Sequence, residues 1–302
     1  MTVGQSGGSF STYQAVDAVN WSSLKYTLTS MLHYRHALTA PREDTSAMAF
    51  GRLVHCASLE PLEVPRRYMV GELPAGDPEG NRRSAEGKGA HARLFPGREI
   101  SDVPSDAFKR ALLSERHPGR EIVSAADYER AITIGDKIRS HRDVARYLLA
   151  PGRGEVSIQW RDPETGLPCK ARLDWLLADG TDCDLKTAAT IAYRPFRSQA
   201  WKLGYFHQLA FHRMGLEALT GTIPALRILA VESAPPHDCA VFEPDPEAID
   251  LATDEVKSLL VKLKWAREND TWAGQYDGER ILYAPPYVFP EDETDGLITG
   301  GA

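Results

Sequence analysis

The stretch Cys169-Lys170-Ala171-Arg172-Leu173-Asp174-Trp175-Leu176-Leu177-Ala178-Asp179-Gly180-Thr181-Asp182-Cys183-Asp184-Leu185-Lys186-Thr187 decides the fold. Two strand-like runs flank Asp179-Gly180, a dipeptide suited to a tight hairpin turn. The pattern predicts one strand from Cys169 to Leu177 and a second from Asp182 to Thr187, paired antiparallel. Upstream, Glu155 to Trp160 alternates with period two around Val156, Ile158 and Trp160. Asp162-Pro163-Glu164-Thr165-Gly166 is a turn signal, so the three strands read as an antiparallel meander.

Helical patterns surround this meander. Ser22 or Ser23 caps an expected helix to about Ala37, with Leu24, Leu28, Met31 and Leu32 on one face. A second covers Ser46 to Leu59, with Phe50, Leu53, Val54 and Ala57 as its apolar stripe and Pro61 beyond it. A third runs from about Ser124 to Leu149 and closes at Pro151-Gly152. After the meander come a long helix from about Phe196 to Leu219, a strand from Ala225 to Val231 and a charged helix from about Pro246 to Asn269. Residues 71–93 are rich in Gly, Arg and Lys and read either as a mobile loop or as a basic arm that reaches phosphates. The expected organisation is a lead-in over 1–20, one domain over 21–290 and a tail over 291–302. The domain divides into a helical part (21–150), a sheet with helices (151–270) and an aromatic, Pro-rich segment (271–290) that packs back over the core. This mixture is an α/β (α+β) class with a central mixed sheet flanked by helices.

Composition narrows the classes. The chain has 302 residues, with 42% hydrophobic and 25% charged, which excludes collagen-like, wholly disordered and disulfide-scaffold chains. The longest apolar runs, such as Ile228-Leu229-Ala230-Val231, are far short of a membrane span. The start has neither a basic nor an apolar leader region, which predicts a cytoplasmic location. Cys56, Cys169, Cys183 and Cys239 are scattered, without metal-cluster or disulfide spacing. Lys and Arg total 35 against 42 Asp and Glu, a net charge of −7. That balance opposes bulk capture of nucleic acid, but a local basic groove suffices because charges act over about a Debye length of 8–10 Å.

The chemistry centres on Asp174 and on Asp184-x-Lys186. The hairpin sets Asp174 beside Asp184 near one end of the sheet. Two carboxylates on rigid strands can hold hard divalent cations. Lys186 lies two residues beyond Asp184 and so points to the same face. The tripeptide itself has little specificity, since Glu86-Gly87-Lys88 and Glu255-Val256-Lys257 share it. The alternative for the hairpin is an ordinary pair of strands with surface charges. His55 stands beside the apolar face of its helix and is a candidate ligand, or else a satisfied surface histidine. Glu155 adds a catalytic carboxylate or is an exposed strand end. Tyr205, Gln208 and His212 share one helix face, either toward DNA backbone or as the polar side of an amphipathic helix.

Several segments in this order and spacing resemble the PD-(D/E)xK nuclease superfamily, specifically the exonuclease VIII (RecE)-type enzymes of phage recombination. They are Ala47-Met48-Ala49-Phe50-Gly51-Arg52-Leu53-Val54-His55 with Leu59-Glu60-Pro61, Asn81-Arg82-Arg83 with Lys88, Glu155-Val156-Ser157-Ile158-Gln159-Trp160, Cys169 to Asp174, Asp184-Leu185-Lys186-Thr187, and Tyr205 with Gln208. The likeness runs from about Trp21 to Tyr287. It implies a restriction-endonuclease-like core and a 5′-to-3′ exonuclease acting on linear double-stranded DNA with Mg²⁺, Mn²⁺ substituting. It implies that His55, Asp174, Asp184 and the Leu185 carbonyl bind metal, that Lys186 assists catalysis, and that Gln208, Tyr205, Arg83 and Lys88 contact DNA. The likeness further implies a homo-oligomeric ring and a single-strand-annealing partner. The superfamily's motif carries Tyr where this chain has His212. Rival readings are a Cas4-like single-strand exonuclease or an endonuclease of the same superfamily, and a non-catalytic DNA-binding phage accessory protein.

Overall fold

A computed structural model describes residues 10–40, 45–73, 75–280 and 282. The first part of the chain is helical: α1 (Phe10–Ala15), α2 (Trp21–Leu24), α3 (Met31–Thr39), α4 (Ser46–Leu59) and α5 (Val64–Arg67). Short β1 (Tyr68–Val70) is followed by α6 (Ala85–Leu94), α7 (Ser105–Arg116), β2 (Glu121–Val123), α8 (Ala125–Ser140) and α9 (Arg142–Leu148). Then come β3 (Gly152–Arg161), β4 (Pro168–Leu177), β5 (Asp182–Ala188), α10 (Tyr193–Lys202), α11 (Tyr205–Thr220), β6 (Leu226–Glu232), β7 (Cys239–Phe242) and α12 (Pro246–Glu268). The main sheet has five strands in the order β3-β4-β5-β6-β7, and β1 pairs with β2 in a separate two-stranded ribbon. β3, β4 and β5 form the antiparallel meander expected from the sequence. β6 then runs parallel to β5, and β7 is antiparallel to β6. The class is therefore mixed α/β with helices on both faces of the sheet. None of the described helices is long and apolar enough to cross a membrane.

Each face of the sheet has its own core. Val156, Ile158, Trp160 and Leu173 pack with Phe211 of α11 and Leu260 and Leu263 of α12. Leu185, Cys183, Leu229 and Val231 pack with Leu53 and Val54 of α4 and Ile134 and Ile138 of α8. Covered on both sides, β5 is buried from Asp182 to Leu185. Its two buried aspartates must therefore find partners inside the protein.

α4 has the expected bounds, with Thr45 as its N-cap accepting from the Met48 N–H. Three longer helices divide where the apolar period continues unbroken. Ser30 is extended and its hydroxyl accepts from the His33 N–H, so α3 starts anew there. His141 is extended between α8 and α9. Gly204 takes φ +74 and ends α10, a conformation that glycine adopts without a Cβ penalty. The 71–93 stretch is not wholly a loop, because Ser84 caps α6. Arg82 there donates to the carbonyls of Ile100 and Val103, which makes it a structural residue. Trp272 stacks on Tyr34 at 6.4 Å. The residues expected as a terminal tail, 291–302, those of the aromatic segment at 281 and 283–290, and the first nine of the lead-in lie outside the described residues.

α4 is held by a close backbone approach from α8. A Cβ at Gly135 would lie 2.6 Å from the carbonyl oxygen of Ala57, two residues beyond His55. Gly135→Ala gains up to ~1 kcal/mol of helix propensity but forces the helices apart, a cost of about 1–3 kcal/mol. The expected net result is a fall in melting temperature in a thermal unfolding scan. An unchanged or higher midpoint would contradict this packing.

Candidate active site

Asp174 and Asp184 meet where β4 and β5 part. The ladder between the strands pairs Trp175 with Cys183 and Leu176 with Asp182. At the next position the Asp174 side chain replaces the ladder, its Oδ2 accepting from the Leu185 N–H at 2.8 Å. On β4, Leu173 and Leu176 enter the same apolar cluster although they are three residues apart, so the alternation slips beside Asp174. β3 is irregular at the same level. Gly154 opposes Trp175 and Val156 opposes Leu173, which sets Glu155 across from Asp174. Glu155 sits at φ +53, a left-handed conformation costing about 1–3 kcal/mol for a residue with a side chain.

Three ligand-type side chains converge here. Single donor atoms of His55, Glu155 and Asp174 all lie within 4.8 Å of one another. His55 Nδ1 is 3.5 Å from Asp174 Oδ1. Glu155 also accepts from Arg172 Nε at 2.5 Å, and Arg172 donates to Ser157 Oγ at 3.2 Å. A nitrogen with two carboxylates, partly buried on rigid elements, is a donor set of the kind that holds a divalent metal ion.

Asp184 occupies a neighbouring compartment. Its carboxylate is 1% exposed and 2.6 Å from Lys186 Nζ. That contact is an ion pair without hydrogen-bond alignment, and Asp184 Oδ2 is a buried acceptor lacking an aligned donor. Gln208 Nε2 donates to Asp184 Oδ1 at 3.0 Å, while Gln208 Oε1 accepts from Lys186 Nζ at 3.0 Å. Lys186 Nζ also lies 4.8 Å from the centre of the Tyr205 ring. The expected ligand set of His55, Asp174, Asp184 and Leu185 is thus divided: Glu155 joins His55 and Asp174, and Asp184 faces Lys186.

The face carrying Tyr205, Gln208 and His212 points into the sheet. Alternate β5 residues Asp182, Asp184 and Lys186 rise about 6.6 Å per step, and four residues of helix rise about 6 Å. The two elements therefore pair stepwise. His212 Nδ1 meets Asp182 Oδ2 at 2.9 Å, and Gln208 meets Asp184 and Lys186. His212 is buried at 3% exposure, so it is a sheet-to-helix tie with no path to DNA. Sequence reasoning missed its partner Asp182, as well as Arg172. Arg83 and Lys88 are exposed near the start of α6, and among the described residues no hydrogen bond or ion pair joins them to the carboxylates.

The electrostatics follow from burial and pairing. Burial works to raise the Asp174 carboxyl, but His55, Lys186 and the Leu185 N–H outweigh it and hold it at about 2. Burial lowers His55, and Asp174 more than restores it, so its pKa is raised. Burial raises Asp184 against the pull of Lys186, with Asp174 adding to the rise. Lys186 is depressed by burial yet raised on balance by Asp184 and Asp174, which keeps it an ammonium. Glu155 is raised by burial and by Asp174, against the opposing Arg172.

His212 is likewise lowered by burial and raised on balance by Asp182. A folded value above the unfolded one stabilises the protein fully below about pH 6.5, and the gain fades as pH climbs through the folded value. Removing one member of such a buried pair costs about 3–5 kcal/mol. His212→Gln is therefore expected to depress the melting temperature most near pH 6 and progressively less in alkaline buffer. A deficit independent of pH would contradict a charged pair.

Comparison with known proteins bears first on this fold. The chain is similar to the crystal structure of a protein from Eubacterium rectale, provisionally described as an exonuclease, with a TM-score of 0.59 and 14% identity over 98% of this chain and 100% of that one. The crystal structure of SSO0001 aligns over 83% of this chain and 87% of that chain at 13% identity, but its TM-score of 0.25 is too low to bear on the fold. No curated protein matches the sequence. The family described as "PDDEXK-like domain of unknown function (DUF3799)" matches residues 9–281, and over that length this chain belongs to it.

Proposed function

We propose that this protein is a divalent-metal-dependent nuclease, an exonuclease that hydrolyses phosphodiester bonds of linear double-stranded DNA from 5′ to 3′. The observation that carries the reading is the gathering of His55, Glu155 and Asp174 within 4.8 Å, beside a buried Asp184–Lys186 pair. Membership of a PDDEXK-like family supports the nuclease class. The exonuclease description of the Eubacterium rectale protein and the RecE-type motif resemblance support exo action and a place in phage-type recombination. On the same resemblance rest a ring-shaped oligomer and a single-strand-annealing partner, while the cytoplasmic setting rests on the leader-free start of the sequence and the single domain over 21–290 on the grouping of helices around one set of strands.

His55, Glu155 and Asp174 hold a cation, with Asp184 Oδ2 as a further acceptor. The Leu185 N–H faces Asp174, and in a strand the carbonyl of the same residue faces the same edge, so it too is a donor to the site. A bound Mg²⁺ supplies Lewis-acid charge at the phosphoryl group and lowers the pKa of water. Lys186 is a fixed positive charge for the phosphoryl oxygens, and Gln208 and Asp184 hold its direction. Tyr205 shields the ammonium from one side. Exposed Arg83 and Lys88 contribute phosphate contacts.

With end-labelled linear duplex and Mg²⁺, the wild type is expected to release 5′ label first and to spare closed circular DNA. Asp174→Asn is expected to abolish digestion. Lys186→Met is expected to slow it by roughly 10²–10³-fold, the usual cost of one lost electrostatic contact to the transition state. Both variants are expected to keep the wild-type far-ultraviolet spectrum. Undiminished digestion by both variants would overturn the nuclease reading, and cleavage of closed circles would overturn exo action. Glu155→Gln is expected to weaken Mn²⁺ binding by calorimetry, whereas unchanged affinity would remove Glu155 from the ligand set.

A further inference from the structure

The solvent face of α10 combines basic side chains with exposed aromatic rings. Between Lys186 and Glu217 the sequence contains no Asp or Glu, in a chain where acids outnumber bases 42 to 35. α10 carries Arg194, Arg197 and Lys202, all exposed, and none forms an ion pair with an acidic group among the described residues. Arginines elsewhere, such as Arg93, Arg116, Arg213 and Arg227, are held by carboxylates. Two large aromatics share this face: Tyr193 is 65% exposed and Trp201 40%. At 100° per residue, Tyr193, Arg197, Trp201 and Arg194 fall within an arc of about 100°. The Arg197 guanidinium lies 5.6 Å from the centre of the Tyr193 ring.

This face is coupled to the catalytic lysine through one layer of rings. Phe196 on the buried side of α10 packs 6.3 Å from Tyr205, and Tyr205 lies under Lys186 Nζ. The outer face is thus a helix diameter of ~10 Å plus this layer of rings from the site, up to about 20 Å in all. Guanidinium groups free of carboxylates recognise phosphates, and exposed rings recognise the π-faces of bases. Duplex DNA offers its phosphates but keeps its base faces stacked. Rings interleaved with arginines therefore match an unpaired strand.

Resting on the nuclease reading above, we propose that the Tyr193–Arg194–Arg197–Trp201 face of α10 is a binding platform for single-stranded DNA entering or leaving the active site. Phosphates pair with the arginines, and bases stack on the tyrosine and tryptophan.

The test is fluorescence anisotropy of the full chain with a labelled oligo-dT and, separately, a blunt duplex, in EDTA so that nothing is cleaved. Arg194→Ala/Arg197→Ala is expected to weaken oligo-dT binding about tenfold or more and to reduce the slope of log K against log[salt] by about 1.4, from two lost phosphate contacts at 0.7 each. Tyr193→Ala is expected to weaken oligo-dT binding about tenfold while leaving duplex binding unchanged. Unchanged oligo-dT affinity in both variants overturns the proposal. Equal loss of duplex and oligo-dT binding in Tyr193→Ala overturns the single-strand assignment. Metal-dependent digestion by the wild type is measured in parallel: its presence with unaltered α10 binding sinks this proposal alone, and its absence sinks the nuclease reading. Thermal unfolding of each variant guards against misfolding, and Arg194→Lys/Arg197→Lys is expected to restore most of the salt dependence.

Discussion

A single hydrogen bond organises the site: the Asp174 carboxylate accepts from the Leu185 N–H where two antiparallel strands stop pairing. By standing in for the missing ladder bond, Asp174 satisfies a backbone donor that would otherwise be stranded inside the protein. The same bond fixes the position of Asp174 relative to Asp184 and Lys186, which flank Leu185. Its second oxygen remains free to face His55 and Glu155. The irregular geometry is therefore concentrated at one level of the sheet, with the left-handed Glu155 on β3 and the slip of alternation on β4. Strain placed there is offset by the two cores that grip the strands on either side.

The second organising feature is the stepwise tie between β5 and α11. Three alternate strand residues meet successive turns of one helix because the rise of two strand residues nearly equals that of four helical ones. His212–Asp182 lies deepest and joins two buried groups. Gln208 lies next and bridges both members of the Asp184–Lys186 pair. Tyr205 lies outermost, against Lys186. Polarity thus runs from a fully buried structural pair to a pair whose lysine is slightly exposed, along a single interface. The site inherits its rigidity from the pair beneath it.

Much of this was legible in the sequence, and the reasons are local. The Asp179-Gly180 turn and the alternation before and after it define the meander without help from the rest of the chain. α4 was readable because the apolar stripe and Pro61 agree. What escaped depends on tertiary contacts. Gln208 and His212 occupy one helix face, and only packing reveals that this face looks inward at β5. The breaks at Ser30, His141 and Gly204 interrupt runs whose hydrophobic period continues across them. β7 is four residues long, too short for periodicity to register. Glu155 was legible in the sequence as a further carboxylate, but that it stands with His55 and Asp174 in place of Asp184 was not, because its placement involves a positive φ at a non-glycine residue.

The most direct measurement is anomalous scattering from a crystal of the protein soaked in Mn²⁺. The account predicts a peak bounded by His55, Glu155 and Asp174, with Asp184 Oδ2 and the Leu185 carbonyl oxygen at its edge and Lys186 beside it without contact. Well-ordered Mn²⁺ bound elsewhere, with those three side chains left unligated at saturating metal, would contradict it.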